Sequence, residues 1–219
     1  MHLDKLLDVK KLGELHEYIK TTHGDMLHES AIAHRELTVV CRRKDLIAFL
    51  TFLRDDKSTQ FKMLIDVCGA DYPERDERFD VVYHLLSLTK NLRIRVKVRV
   101  KDGETVPTIT GVFSNANWYE RETYDMFGIM FEDHPDLRRI LTDYDFDGFP
   151  LRKDFPVEGK VEMWYDEKLK RCVYRPTDLK QEFRSFEWIS PWEGMDNNYH
   201  LAEEDNPFDA DEFTAPKKD

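Results

Sequence analysis

A chain of 219 residues with 41% hydrophobic and 12% aromatic side chains has enough apolar material to bury a core, as one domain or as a domain with an arm. Its 33 Lys and Arg against 44 Asp and Glu leave a formal charge of -11, which removes the general electrostatic case for binding nucleic acid or an anionic membrane surface. No apolar run approaches the roughly 20 residues of a bilayer-spanning helix.

Leucines at 3, 6, 7, 12 and 15, followed by Ile19, approximate a helical period and predict an amphipathic helix from Leu3 to Thr21, with Gly24 as its stop. Acidic residues punctuate this segment and no cleavage site follows it, so neither a secretory signal nor a transit peptide is expected. Ala31–Arg42 reads as a strand, or two short strands with a break near Arg35, and Lys44–Arg54 returns to helical spacing. Lys62–Ala70 and Phe79–Leu88 read as strands. Leu92–Lys101 is the clearest one, because Ile94, Val96, Val98 and Val100 alternate with Arg93, Arg95, Lys97, Arg99 and Lys101. Thr89-Lys90-Asn91 is short enough to close a hairpin between the last two. The basic face is either the solvated side of the sheet or a docking surface for an acidic partner.

After Pro107, a short strand is expected around Ile109–Phe113, then a helix over Asn115–Phe127 capped by Ser114 and ended by Gly128. Residues 131–156 hold Pro135, Gly148, Pro150 and Pro156 and are expected to be irregular, held by tertiary contacts. The segment 157–195 carries Trp164, Trp188 and Trp192 without a clear period, and 196–219 is an acidic tail with eight carboxylates against Lys217 and Lys218. The fold expected is α+β, two layers with helices on a mixed, mainly antiparallel sheet, in a core of residues 1–156. An extended, aromatic-rich arm (157–195) that docks on a partner follows it, and then a tail (196–219) expected to be disordered.

Three scattered cysteines, Cys41, Cys68 and Cys172, are too few for an iron–sulfur cluster and read as buried or half-buried thiols in a reducing compartment. The eight histidines show no ligand pairing, and the nine glycines form neither a dinucleotide nor a triphosphate cradle. No catalytic, cofactor or metal residue is assigned.

The densest cluster lies on the helix after Ser114: Trp118, Glu120, Arg121, Glu122, Tyr124 and Asp125. Arg121 and Asp125 are i,i+4 neighbours, and Trp118, Arg121, Glu122 and Asp125 share a face opposite Tyr119, Thr123 and Met126. Three readings are open: a solvated helix with weak ion pairs, a partly buried charge network, or an acid/base pair, the last weakened because residues two apart diverge on a helix. Glu120-Arg121-Glu122, Asp125-Met126-Phe127, His134, Arg138 and Ile140-Leu141 resemble the signature of the thirty-kilodalton subunit of respiratory complex I. The resemblance continues through the stretches from Gly148 to Pro156, Phe183 to Phe186 and Ser190 to Gly194, in the alphaproteobacterial and mitochondrial style.

That resemblance implies a peripheral-arm subunit of NADH:quinone oxidoreductase, with FMN and iron–sulfur clusters held by partner subunits. It would pack, within a hetero-oligomer, against the subunit that helps form the quinone site and against other members of the peripheral arm. It would sit on the cytoplasmic face of a bacterial inner membrane, or the matrix face of a mitochondrial one. Glu120, Arg121, Glu122 and Asp125 would brace the helix, and His134, Arg138 and Arg139 would position the loop after it. Phe183, Arg184, Trp188, Pro191 and Trp192 would clamp the partner. The rivals are the same module in a membrane-bound hydrogenase or formate hydrogenlyase, and a free-standing hydrolase using Glu120 or Asp125.

Overall fold

A computed structural model describes residues 2–181, with side chains from Lys10 onward. The chain divides into two units, residues 1–156 and 157–219.

In the first unit, helix α1 (His2–His23) leads into strands β1 (Leu27–Ala33) and β2 (Glu36–Cys41). These are joined at His34 and Arg35, whose φ angles of 51° and 64° form the break foreseen near Arg35. Helix α2 (Leu46–Asp55), strand β3 (Met63–Asp71) and the hairpin β4 (Phe79–Ser87) and β5 (Leu92–Val100) follow, and Asn91 turns the hairpin at φ 52°. The five strands order as β1-β2-β5-β4-β3, antiparallel except for β2 beside β5. This is the mixed, mainly antiparallel α+β sheet expected.

The alternation in β5 sorts its faces as read. Ile94, Val96, Val98 and Val100 join Leu37, Val39, Phe79, Val81, Tyr83 and Leu85 in one core with Leu12, Leu15 and Ile19 of α1 and Phe49, Leu50 and Leu53 of α2. On the other face the basic stripe is answered within the chain: Arg95 pairs with Glu36, Lys97 with Asp80, Arg99 with Glu29 and Lys101 with Asp76.

Three local expectations change. Ile109–Phe113 is a turn, not a strand: the amides of Val112 and Phe113 both reach the Ile109 carbonyl at 2.8 Å, and the apolar side chains that imitate a strand serve to plug the core. The strand lies just before it, as β6 (Thr105–Pro107), paired in parallel with β7 (Met130–Glu132). Helix α3 (Ala116–Phe127) is preceded by Asn115, not Ser114, and the Asn115 side chain donates to the Leu64 carbonyl of β3 (3.0 Å) in place of capping its own helix. Cys172 is exposed, whereas Cys41 is buried and Cys68 half-buried as read.

The second unit contains a hairpin of β8 (Val161–Asp166) and β9 (Arg171–Pro176), regular structure that the aromatic-rich sequence does not announce. Met163, Trp164, Tyr165 and Tyr174 are exposed on it, and Arg175 lies 3.8 Å over the Trp164 ring.

Candidate functional site

Helix α3 runs along the edge strand β3. Its sheet-ward residues are Thr123, which donates to the Val67 carbonyl (3.3 Å), Met126 and Phe127. Phe127 lies so close to Gly69 that a β-carbon there would sit 2.5 Å from its ring. Gly128 ends the helix at φ 75°, its amide returning to the Tyr124 carbonyl at 2.8 Å.

The opposite side of α3 organises the chain after β7. Asp125, fully buried, accepts from the amides of Ile140 (3.0 Å), Leu141 (2.7 Å) and Thr142 (2.9 Å), from the Thr142 hydroxyl and from the Arg139 guanidinium (2.8 Å). Burial alone would raise its pKa, but these donors, led by Thr142 and Arg139, overwhelm that and hold the carboxyl well below the usual carboxylate range. Arg139 also donates to the carbonyls of Phe146 (2.8 Å) and Gly148 (3.0 Å), and its guanidinium lies over the rings of Phe146 and Phe149. Arg121 does not pair with Asp125. It donates to the carbonyls of Arg138 (3.1 Å) and Arg139 (3.2 Å), so the two helix neighbours grip one loop with opposite charges.

Glu120 is buried, receiving the Ile109 amide (2.8 Å) and the Thr108 hydroxyl. The buried ring of His134 lies 3.8 Å from it. Glu122 is not buried and stands outside the network, and Arg138 extends to Asp136 (2.9 Å) and the Tyr144 hydroxyl (3.2 Å) at the surface. Phe183, Arg184, Trp188, Pro191 and Trp192 lie outside the described residues, as does the tail 196–219.

A second cluster holds the far end of this loop, and residue spacing does not single it out. Asp71 accepts two bonds from Arg78 (2.7 and 2.8 Å) and one from the Lys153 amide (2.7 Å), and Arg78 continues to Asp154 (2.9 Å). Arg152 binds both Asp102 oxygens (3.1 Å each) and the Phe127 carbonyl (2.6 Å). The available signal was the run Leu151-Arg152-Lys153-Asp154.

Between these anchors the surface is apolar where it need not be. Trp118 is 69% exposed, Leu141 63% and Tyr144 73%, with Leu151 exposed as well. Neither buried carboxylate lines any of three cavities of about 130, 490 and 720 Å³, which lie around Arg95, Tyr18 and His34. Among the described residues no group of three or more His, Cys, Asp or Glu is placed to hold a metal, and no helix is long and apolar enough to cross a membrane.

Residues 39–161 match the family model described as respiratory-chain NADH dehydrogenase, 30 Kd subunit. A protein of Sinorhizobium medicae that bears the name of an NADH-quinone oxidoreductase subunit is 57% identical over 185 residues, 84% of this chain and 92% of the relative. The chain belongs to the thirty-kilodalton subunit family of respiratory NADH dehydrogenase. Its namesake in Bartonella bacilliformis is likewise 57% identical, over 84% of this chain and 90% of its own. Among solved structures, a chain from the archaeal membrane-bound sulfane sulfur reductase shares the fold, with a TM-score of 0.57 at 23% identity over 68% of this chain and 86% of that one. The family match takes in α3 and both anchored ends of the loop.

Proposed function

We propose that this chain is a non-catalytic subunit of the peripheral arm of a proton-translocating NADH:quinone oxidoreductase on the cytoplasmic face of the inner membrane. In this reading the loop 133–156 is a preformed docking face for the quinone-site subunit of the same complex. The observation that carries it is the contrast within that loop: its buried charges are consumed in holding the backbone still, while Trp118, Leu141 and Tyr144 stand in solvent. A free monomer gains nothing from that exposure, whereas a partner would bury large rigid side chains on a backbone that loses little entropy in docking. The curated relatives at 55–57% identity, all named for one subunit of NADH-quinone oxidoreductase, favour this assembly over a hydrogenase. Against a hydrolase stands the burial of Glu120 and Asp125, which leaves neither in reach of a substrate.

The test is the double variant Trp118→Ser with Leu141→Ser in an alphaproteobacterial host. Both side chains are surface residues, so the chain is expected to retain its circular dichroism and melting temperature. Co-purification with the quinone-site subunit and membrane NADH:quinone activity are expected to fall at least tenfold, as for loss of a hot-spot pair. Undiminished assembly contradicts the docking role.

A further inference from the structure

Asp125 is buried with five donors, one of them a guanidinium, whereas Glu120 on the same helix is buried with two neutral donors. Groups from four elements face Glu120. The turn after β6 supplies the Ile109 amide and the Thr108 hydroxyl. From β4 comes Tyr83, whose hydroxyl is buried without a hydrogen-bond partner and whose phenol is raised by burial and then by the Glu120 charge. Behind Tyr83, on β2, lies Cys41, its thiol pushed up to about 12 by burial. From the loop after β7 comes His134.

His134 does not supply a positive charge. Its Nδ1 accepts the Asp136 amide (3.1 Å), so that nitrogen carries no proton, and its Nε2–H is directed to the Asn117 carbonyl (3.1 Å). Both ring nitrogens are satisfied in the neutral tautomer. Among the described residues no lysine or arginine lies within ion-pair distance of Glu120. A lone carboxylate in such a site is strongly disfavoured, and burial raises the Glu120 pKa from 4.5 to about 7.

The hydroxyl network accepts the neutral form without rearranging. The Thr108 hydroxyl lies 3.1 Å from that of Thr110, so when Glu120 bears a proton it donates to Thr108, and Thr108 turns its own proton to Thr110. We propose that Glu120 is a proton-binding site of the folded chain, holding its carboxyl neutral against the 108–110 turn, and that loss of this proton loosens the joint between α3 and that turn. The chemistry is a single proton exchanged with solvent, independent of any partner.

The test uses the full chain labelled at the glutamate carboxyl carbon and titrated by NMR from pH 5 to pH 8.5. One resonance is expected to titrate with a midpoint near 7 and to be missing from Glu120→Gln; midpoints below 5.5 for every glutamate would overturn the proposal, with or without a folded variant. Denaturant unfolding is a second readout. A carboxyl whose pKa rises on folding stabilises the fold below its unfolded pKa and loses that contribution as pH rises through the folded value. The wild-type folding constant is therefore expected to drop roughly seventyfold more than that of Glu120→Gln between pH 5 and pH 8. Parallel pH profiles for the two proteins would also overturn it.

Discussion

Five donors converge on Asp125, from the Arg139 guanidinium, three consecutive amides and the Thr142 hydroxyl. Removing the acceptor strands all of them in a dry site, so Asp125→Ala is expected to lower the unfolding free energy by about 3–5 kcal/mol, measured by urea titration at pH 7. Because the folded carboxyl titrates below its unfolded value of 3.8, its stabilisation is complete above that value and is lost as pH falls towards the folded one. The gap between wild type and variant is thus expected to close on acidification below pH 4. At this scale the sequence was partly legible. The i,i+4 spacing of Arg121 and Asp125 marked a charged face, but spacing cannot show that both would turn to a loop 13 or more residues on in place of each other. Glu122, two residues from Glu120 and as acidic, escapes burial, a difference that only the packing of α3 on β3 decides.

The elements divide by whether their signal is local. Strand β5 was readable because five basic and four apolar residues alternate without interruption, and the end of α3 because Gly128 can adopt a left-handed φ. Strands β6 and β7, of three residues each, are defined by each other across the whole of α3, and no short window of sequence contains both. The hairpin β8–β9 was hidden because its apolar residues occupy both faces, so no period of two stands out. Gly128 is the element-scale test. A β-carbon there would meet the Phe149 ring at 2.6 Å and Arg152 Nη2 at 2.8 Å, on top of the left-handed strain. Gly128→Ala is expected to destabilise by about 1–3 kcal/mol from the backbone alone and to lower the melting temperature, with an unchanged value contradicting the tight junction of α3 with the 149–152 segment.

On the scale of the whole molecule, the first unit carries a continuous core from α1 to β7, while the described hairpin of the second keeps Trp164, Tyr165 and Tyr174 exposed. A two-stranded hairpin is marginal by itself in water, so its aromatics are best explained by a partner surface. Deleting residues 157–219 is expected to leave the first unit with a cooperative unfolding transition while abolishing co-purification with the quinone-site subunit. The central claim is that α3 and its loop form a rigid face for another subunit, and site-specific photo-crosslinking from positions 118 and 141 in assembled membranes tests it most directly. The account predicts that both positions join the chain to one and the same neighbouring subunit of the NADH:quinone oxidoreductase. Crosslinks absent from both positions in an intact, active complex would contradict it.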